Sequence, residues 1–143
     1  MGARRQGRER ALQALYQLEM AQTTPLEALD AAWTADDDGG PAGKPDPEAR
    51  KFAAELVEGV WKNLKEIDGL IQEHSHNWRV DRMSRIDRNV LRLAIFELRF
   101  RPEIPRKVTL NEAIELGKNF GAEESAGFIN GLLDRVATVL GKP

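Results

Sequence analysis

MSRIDRNVLRLAIFELRF, residues Met83–Phe100, is the longest apolar segment of the chain, and its reading decides the fold. At the helical advance of about 100° per residue it forms a central helix with one apolar arc. Arg85, Arg88, Arg92 and Arg99 recur at spacings of 3, 4 and 7 on one face. Glu97 falls inside the apolar arc, where a buried carboxylate needs a partner or a shifted pKa.

The same period extends to both sides. Downstream, the two prolines of RPEIPRK stop the central helix, and Thr109 and Glu112 stand at capping-box spacing ahead of AIELGKNF. Gly121 ends that helix. A last helix from about Glu123 to Leu140 groups Phe128, Leu132, Val136 and Val139 beside Ile129, Leu133 and Leu140. Upstream, Phe52, Leu56, Val60 and Leu64 share a face from Pro47 onward, and helix continues after a break into IDGLIQEHSHNW. A short helix after Thr24-Pro25 carries Leu26, Leu29 and Trp33. Between them TADDDGGPAGKPDP breaks all periodicity, which predicts a mobile loop near 34–47. No period-2 run bounded by hairpin turns occurs, so the expectation is an all-α, compact bundle of about six or seven helices in a single domain, 1–143.

Composition limits the function classes. With 143 residues, 41% of them hydrophobic and 31% charged, the chain can bury a core, and it has no uncharged apolar run long enough to span a bilayer. It has no cysteine, hence no disulfide framework or thiolate ligand, and no apolar segment behind its basic start to form a secretory signal. A cytoplasmic protein without membrane association is expected. His74 and His76, two apart, point in different directions on a helix, and no carboxylate completes a ligand set, so they read as surface histidines. There is no glycine-rich phosphate loop after a strand. Neither an enzyme nor a metal or cofactor is expected.

A formal net charge of -2 makes the opening, ARRQGRERALQALYQLEMAQ, conspicuous: four arginines lie between Arg4 and Arg10. Ala11, Ala14, Leu15 and Leu18 define an amphipathic helix over roughly residues 5–21. Arg4, Arg5 and Arg8 fall in the arc of Ala11, Leu12, Leu15 and Tyr16, whereas Arg10 falls outside it. The apolar stripe thus becomes a basic one, projecting past the edge of the core where guanidinium groups can meet phosphates bidentately. Gln6 and Gly7 make these turns poor helix, so the arm is expected to order on binding. A solvated basic end is the alternative.

RRxxRExALQALYxxE, RIDRNVLRLAIFEL and PxKVTLNEAIELGKNFGAEESAGFINGLLD together closely resemble the NusB family of bacterial transcription antitermination factors. The resemblance covers both ends and the middle, leaving about Thr23 to Pro47 unmatched. It implies a NusB-like fold of two small helical subdomains. It also implies transcription antitermination through the boxA RNA of nascent ribosomal-RNA transcripts, bound together with NusE, a small-subunit ribosomal protein, within the RNA polymerase antitermination complex. Matched position by position, it implies RNA binding by Arg4, Arg5, Arg8 and Phe128, and contact with NusE by Tyr16 and Asp87. From the residues alone, Phe128 could equally be core, Tyr16 a rim residue, and Asp87 a complement to its helix dipole. The α-helical arginine row 85, 88, 92 and 99 reads either as a solvated face or as an extended RNA track. Relatives often carry denser arginine runs than RRQGR, so the affinity of the chain alone is expected to be modest.

Two rival functions follow from the same residues. NusB-like domains also occur fused to ribosomal-RNA cytosine methyltransferases, but a Rossmann-like domain would have to follow the helices, and the chain is expected not to be such an enzyme. The better rival is a helical protein-binding adaptor or homodimer with the arginine arm masked. Monomer and homodimer both stay open.

Overall fold

Regular structure among the described residues is all helical: α1 (Ala3–Met20), α2 (Pro25–Thr34), α3 (Pro47–Lys62), α4 (Leu64–His74), α5 (Arg85–Phe100), α6 (Arg106–Phe120) and α7 (Ser125–Val139), with a 3-10 turn at Val80–Arg82. The computed structural model describes residues 2–34, 46–75 and 78–143. Most of the loop expected near 34–47 lies outside them, as does His76. The all-α expectation is met, and the chain divides into two compact units, Met1–Trp61 and Lys62–Pro143. No described helix is long and apolar enough to cross a membrane.

The first unit is built from α1, α2 and α3. Pro25 and Pro47 open α2 and α3 at the position where a missing N–H is not needed. Thr24 Oγ1 accepts from the Glu27 amide at 3.2 Å and Asp46 Oδ1 from the Glu48 amide at 2.8 Å, so both starts are capped. Leu12, Leu15 and Leu18 of α1, Leu29 and Trp33 of α2, and Phe52, Leu56 and Val60 of α3 are buried. Leu26, grouped with Leu29 and Trp33 by its spacing, is exposed instead.

In the second unit α5 packs against α4, α6 and α7. Ser84 caps it, its Oγ accepting from the Asp87 amide at 3.1 Å. The capping-box reading of Thr109 and Glu112 is corrected here. Pro105 has extended backbone and α6 starts directly behind it at Arg106, which leaves Thr109 inside the helix and buried. Its hydroxyl donates to Glu97 Oε1 at 2.9 Å, so the polar pattern that imitates a cap satisfies the buried carboxylate of α5. At the end of α6 the chain passes so close to α7 that a Cβ on Gly121 would meet Ser125 Oγ at 2.6 Å and the Gly117 carbonyl at 2.8 Å. Glycine is required there by contact. Ser125, buried, accepts from the Ala122 amide at 2.9 Å and fixes where α7 begins.

Candidate nucleic-acid interface

The basic arm is already helix. α1 runs unbroken from Ala3, although Gly2 provides no side-chain cap and no acidic residue occupies the first turn. Arg4 and Arg5 are exposed, but Arg8 is 4% exposed. The expectation that all three project past the core therefore fails for Arg8, because α3 lies against that side of α1. The guanidiniums of Arg4 and Arg8 sit over the Phe52 ring, 5.2 and 5.3 Å from its centroid. Arg10, off the arc, turns toward α2. Its guanidinium lies 5.5 Å from the Trp33 ring and donates to the Ala32 carbonyl at 3.3 Å, while Arg50 of α3 reaches the same ring at 5.5 Å. Farther along α1, Tyr16 is 38% exposed and Met20, one turn on, is exposed as well, an apolar strip open to a partner.

The second unit holds a groove of about 490 Å³, lined by Trp78, Arg82, Met83, Ser84, Asp87, Ala122, Glu124 and Phe128. Phe128 is half-buried, in agreement with its place at the edge of the α7 arc. Trp78 is 57% exposed, so the groove has an aromatic ring with open surface besides Phe128. Asp87 lines the same groove, although the family resemblance assigns it to a different partner from Phe128. Its Oδ1 is buried and accepts no hydrogen bond from any described residue. Ring faces that can stack on a base, an acceptor oxygen and the Arg82 cation are the groups a single-stranded nucleic acid or a protein side chain could use here.

The wall of this groove is held from two sides. Gln72 Nε2 and Ser75 Oγ donate to the Trp78 carbonyl at 3.2 and 2.6 Å, and Gln72 Oε1 accepts from the Val80 amide at 3.0 Å. From α5, Arg88 donates to the carbonyls of Val80 and Met83 at 2.9 and 3.1 Å. Arg92 is buried and meets Asp68 of α4 bidentately, 2.7 Å on each arm, with a third bond to Asn89 at 3.0 Å. Arg99 pairs with Glu66 at 3.4 Å, both well exposed. The middle of the α5 arginine row is thus not a solvated face: Arg88 and Arg92 are fasteners, while Arg85 and Arg99 at its two ends are exposed. His74 Nδ1 lies 2.9 Å from the Leu70 carbonyl, and no group of three or more potential metal ligands occurs among the described residues.

Sequence reasoning missed Phe52, Trp33 and Trp78. Phe52 and Trp33 carry the ordinary signature of core residues, and their partners lie on other helices. Trp78 was read as the end of the helical stretch IDGLIQEHSHNW, but α4 stops at His74, which leaves the ring outside the helix and exposed.

Residues 5–138 match the model of the NusB family. The chain is 70% identical over its full length, and over the relative's full length, to the transcription antitermination protein NusB of Myxococcus xanthus. Its fold is similar to T. maritima NusB, with a TM-score of 0.83 and 38% identity over 94% of this chain and 90% of that one. The same fold, at a TM-score of 0.84 and 24% identity over 96% and 97% of the two chains, occurs in a structure of the antitermination factors NusB and NusE in complex with dsRNA.

Proposed function

The chain belongs to the NusB family of transcription antitermination proteins, and from that premise we propose that it binds boxA RNA and NusE as a non-catalytic cytoplasmic factor of the RNA polymerase antitermination complex. Arg4 and Arg5 meet RNA phosphates, with Arg8 beneath them. Phe128 stacks on a base in the groove of the second unit. Tyr16 and Asp87 face NusE: the first offers an exposed ring, the second a carboxylate oxygen that lacks a donor.

The observation that carries this reading is the groove. An open Trp78 ring, a half-buried Phe128 and an unsatisfied Asp87 oxygen together suit ligands that bring both a flat face and N–H donors. A solved structure of this fold holds NusB and NusE in complex with dsRNA, which favours NusE and RNA as the classes of ligand here. The test is a gel-shift titration of a short boxA RNA, with and without NusE, beside a sizing measurement. The expected result is salt-dependent RNA binding by the chain, tightened by NusE. Absence of binding in both arms overturns the reading, and a stable dimer that binds RNA only after dissociation selects the masked-arm homodimer.

A further inference from the structure

The first two turns of α1 ought not to be helical on local grounds. They lack a side-chain cap, contain Gly7, and place Arg4 and Arg5 at the positive end of the helix dipole with no acidic residue to offset them. Yet the helix begins at Ala3. Two independent features of the first unit supply what the local sequence lacks. The Phe52 ring, 4% exposed and therefore fixed in the core, carries the guanidiniums of Arg4 and Arg8 at 5.2 and 5.3 Å. Gly7 in turn lets α1 approach α3 closely at that point: a Cβ there would lie 3.0 Å from the Ala49 carbonyl oxygen and 3.1 Å from Phe52 Cδ2.

We infer that Phe52 is a positioning residue for RNA binding, a buried aromatic anchor that holds the arginine arm helical and oriented before RNA arrives. It touches no RNA. A ring face attracts a guanidinium through the ring's quadrupole without occupying its N–H donors, so Arg4 keeps its donors for phosphate while its position is set. Arg8, being buried, acts with Phe52 in holding the arm, and the phosphate contacts fall to the exposed Arg4 and Arg5. This inference deepens the reading of the arm as an RNA-binding element and rests on it. It replaces the expectation that the arm orders only on binding: the ordering cost is met in the free protein.

The test pairs a structural readout with a binding one, using the full chain and a short single-stranded boxA RNA. Phe52→Leu keeps apolar bulk in the core and removes the ring face. Amide hydrogen exchange of the free protein should speed up by about tenfold in residues 6–10, the two lost cation–π contacts setting that scale, with Leu12–Leu18 little changed as internal control. RNA affinity should fall by a similar factor of about ten, while the slope of log K against log salt stays at its wild-type value because no phosphate contact is deleted. Arg8→Gln should behave in the same way, with lower affinity and an unchanged slope; a drop of about 0.7 in slope would make Arg8 a phosphate contact and overturn this part. Unchanged exchange in residues 6–10 of Phe52→Leu overturns the anchor itself. Faster exchange there with unaltered RNA affinity overturns the positioning role for RNA binding, and a salt slope unchanged in Arg4→Gln, Arg5→Gln overturns the reading of the arm as the RNA site.

Discussion

Two arginine-bearing helix faces, that of α1 in the first unit and that of α5 in the second, look alike in sequence and are held by different chemistry. On α1 the guanidiniums of Arg4 and Arg8 lie over an aromatic ring. On α5 Arg92 is locked bidentately to Asp68 and Arg88 is bonded to two backbone carbonyls. A ring face engages a guanidinium without using an N–H, as at the exposed Arg4, whereas the carboxylate and carbonyls around Arg92 and Arg88 occupy theirs. The surroundings of a basic row, and not its spacing, decide whether it can take phosphate.

This contrast can be broken most readily at Arg92. Arg92→Ala should lower the unfolding free energy by about 3 kcal/mol, the low end for a broken buried pair because the Asp68 side chain left behind is 28% exposed. Denaturant titration reads that loss, and the salt slope of RNA binding should stay put. A lower slope in this variant would return α5 to the RNA surface. Next in size, Phe128→Ala should weaken RNA binding by about 1–3 kcal/mol as a lost stacking partner, with a stability loss smaller than the roughly 3–5 kcal/mol of a core phenylalanine. The opposite balance in a parallel melting and binding experiment would make Phe128 core. On α1, the double variant Arg4→Gln, Arg5→Gln should reduce the salt slope by about 1.4, with a stability loss well below that of Arg92→Ala. The smallest effect belongs to Glu124 beside Phe128 in the groove. Glu124→Gln should tighten RNA binding slightly at low salt by removing a repulsion for phosphate, and an unchanged affinity would place the backbone of the RNA away from this helix start.

Sequence alone carried the helices and much of their ends, because Pro25, Pro47 and Gly121 act locally, whereas the Ser84 cap of α5 was not read from it. It did not carry the arginine environments. Arg5 and Arg8 share one arc on the wheel, yet one is exposed and the other buried, since the wheel has no knowledge of where α3 lies. Thr109 and Glu112 show the same limit from the opposite direction: a threonine three residues before a glutamate has one spacing whether it caps a helix or lies within it, and Pro105 decides between them. The groove was half legible. Phe128 and Asp87 came through the family resemblance, but their meeting in one groove with Trp78 depends on how α7, α5 and the segment before α5 come together.

The 3-10 turn at Val80–Arg82 is too short to hold itself, and segments of that kind usually open first in a folded protein. Here Arg88 reaches back from α5 to grip Val80 and Met83, and Gln72 of α4 holds Trp78 and Val80. The wall of the groove is thereby enrolled in the same cooperative unit as the central helix. Its opening requires guanidinium and amide side chains to let go, so its lifetime in the closed form should track that of α4 and α5.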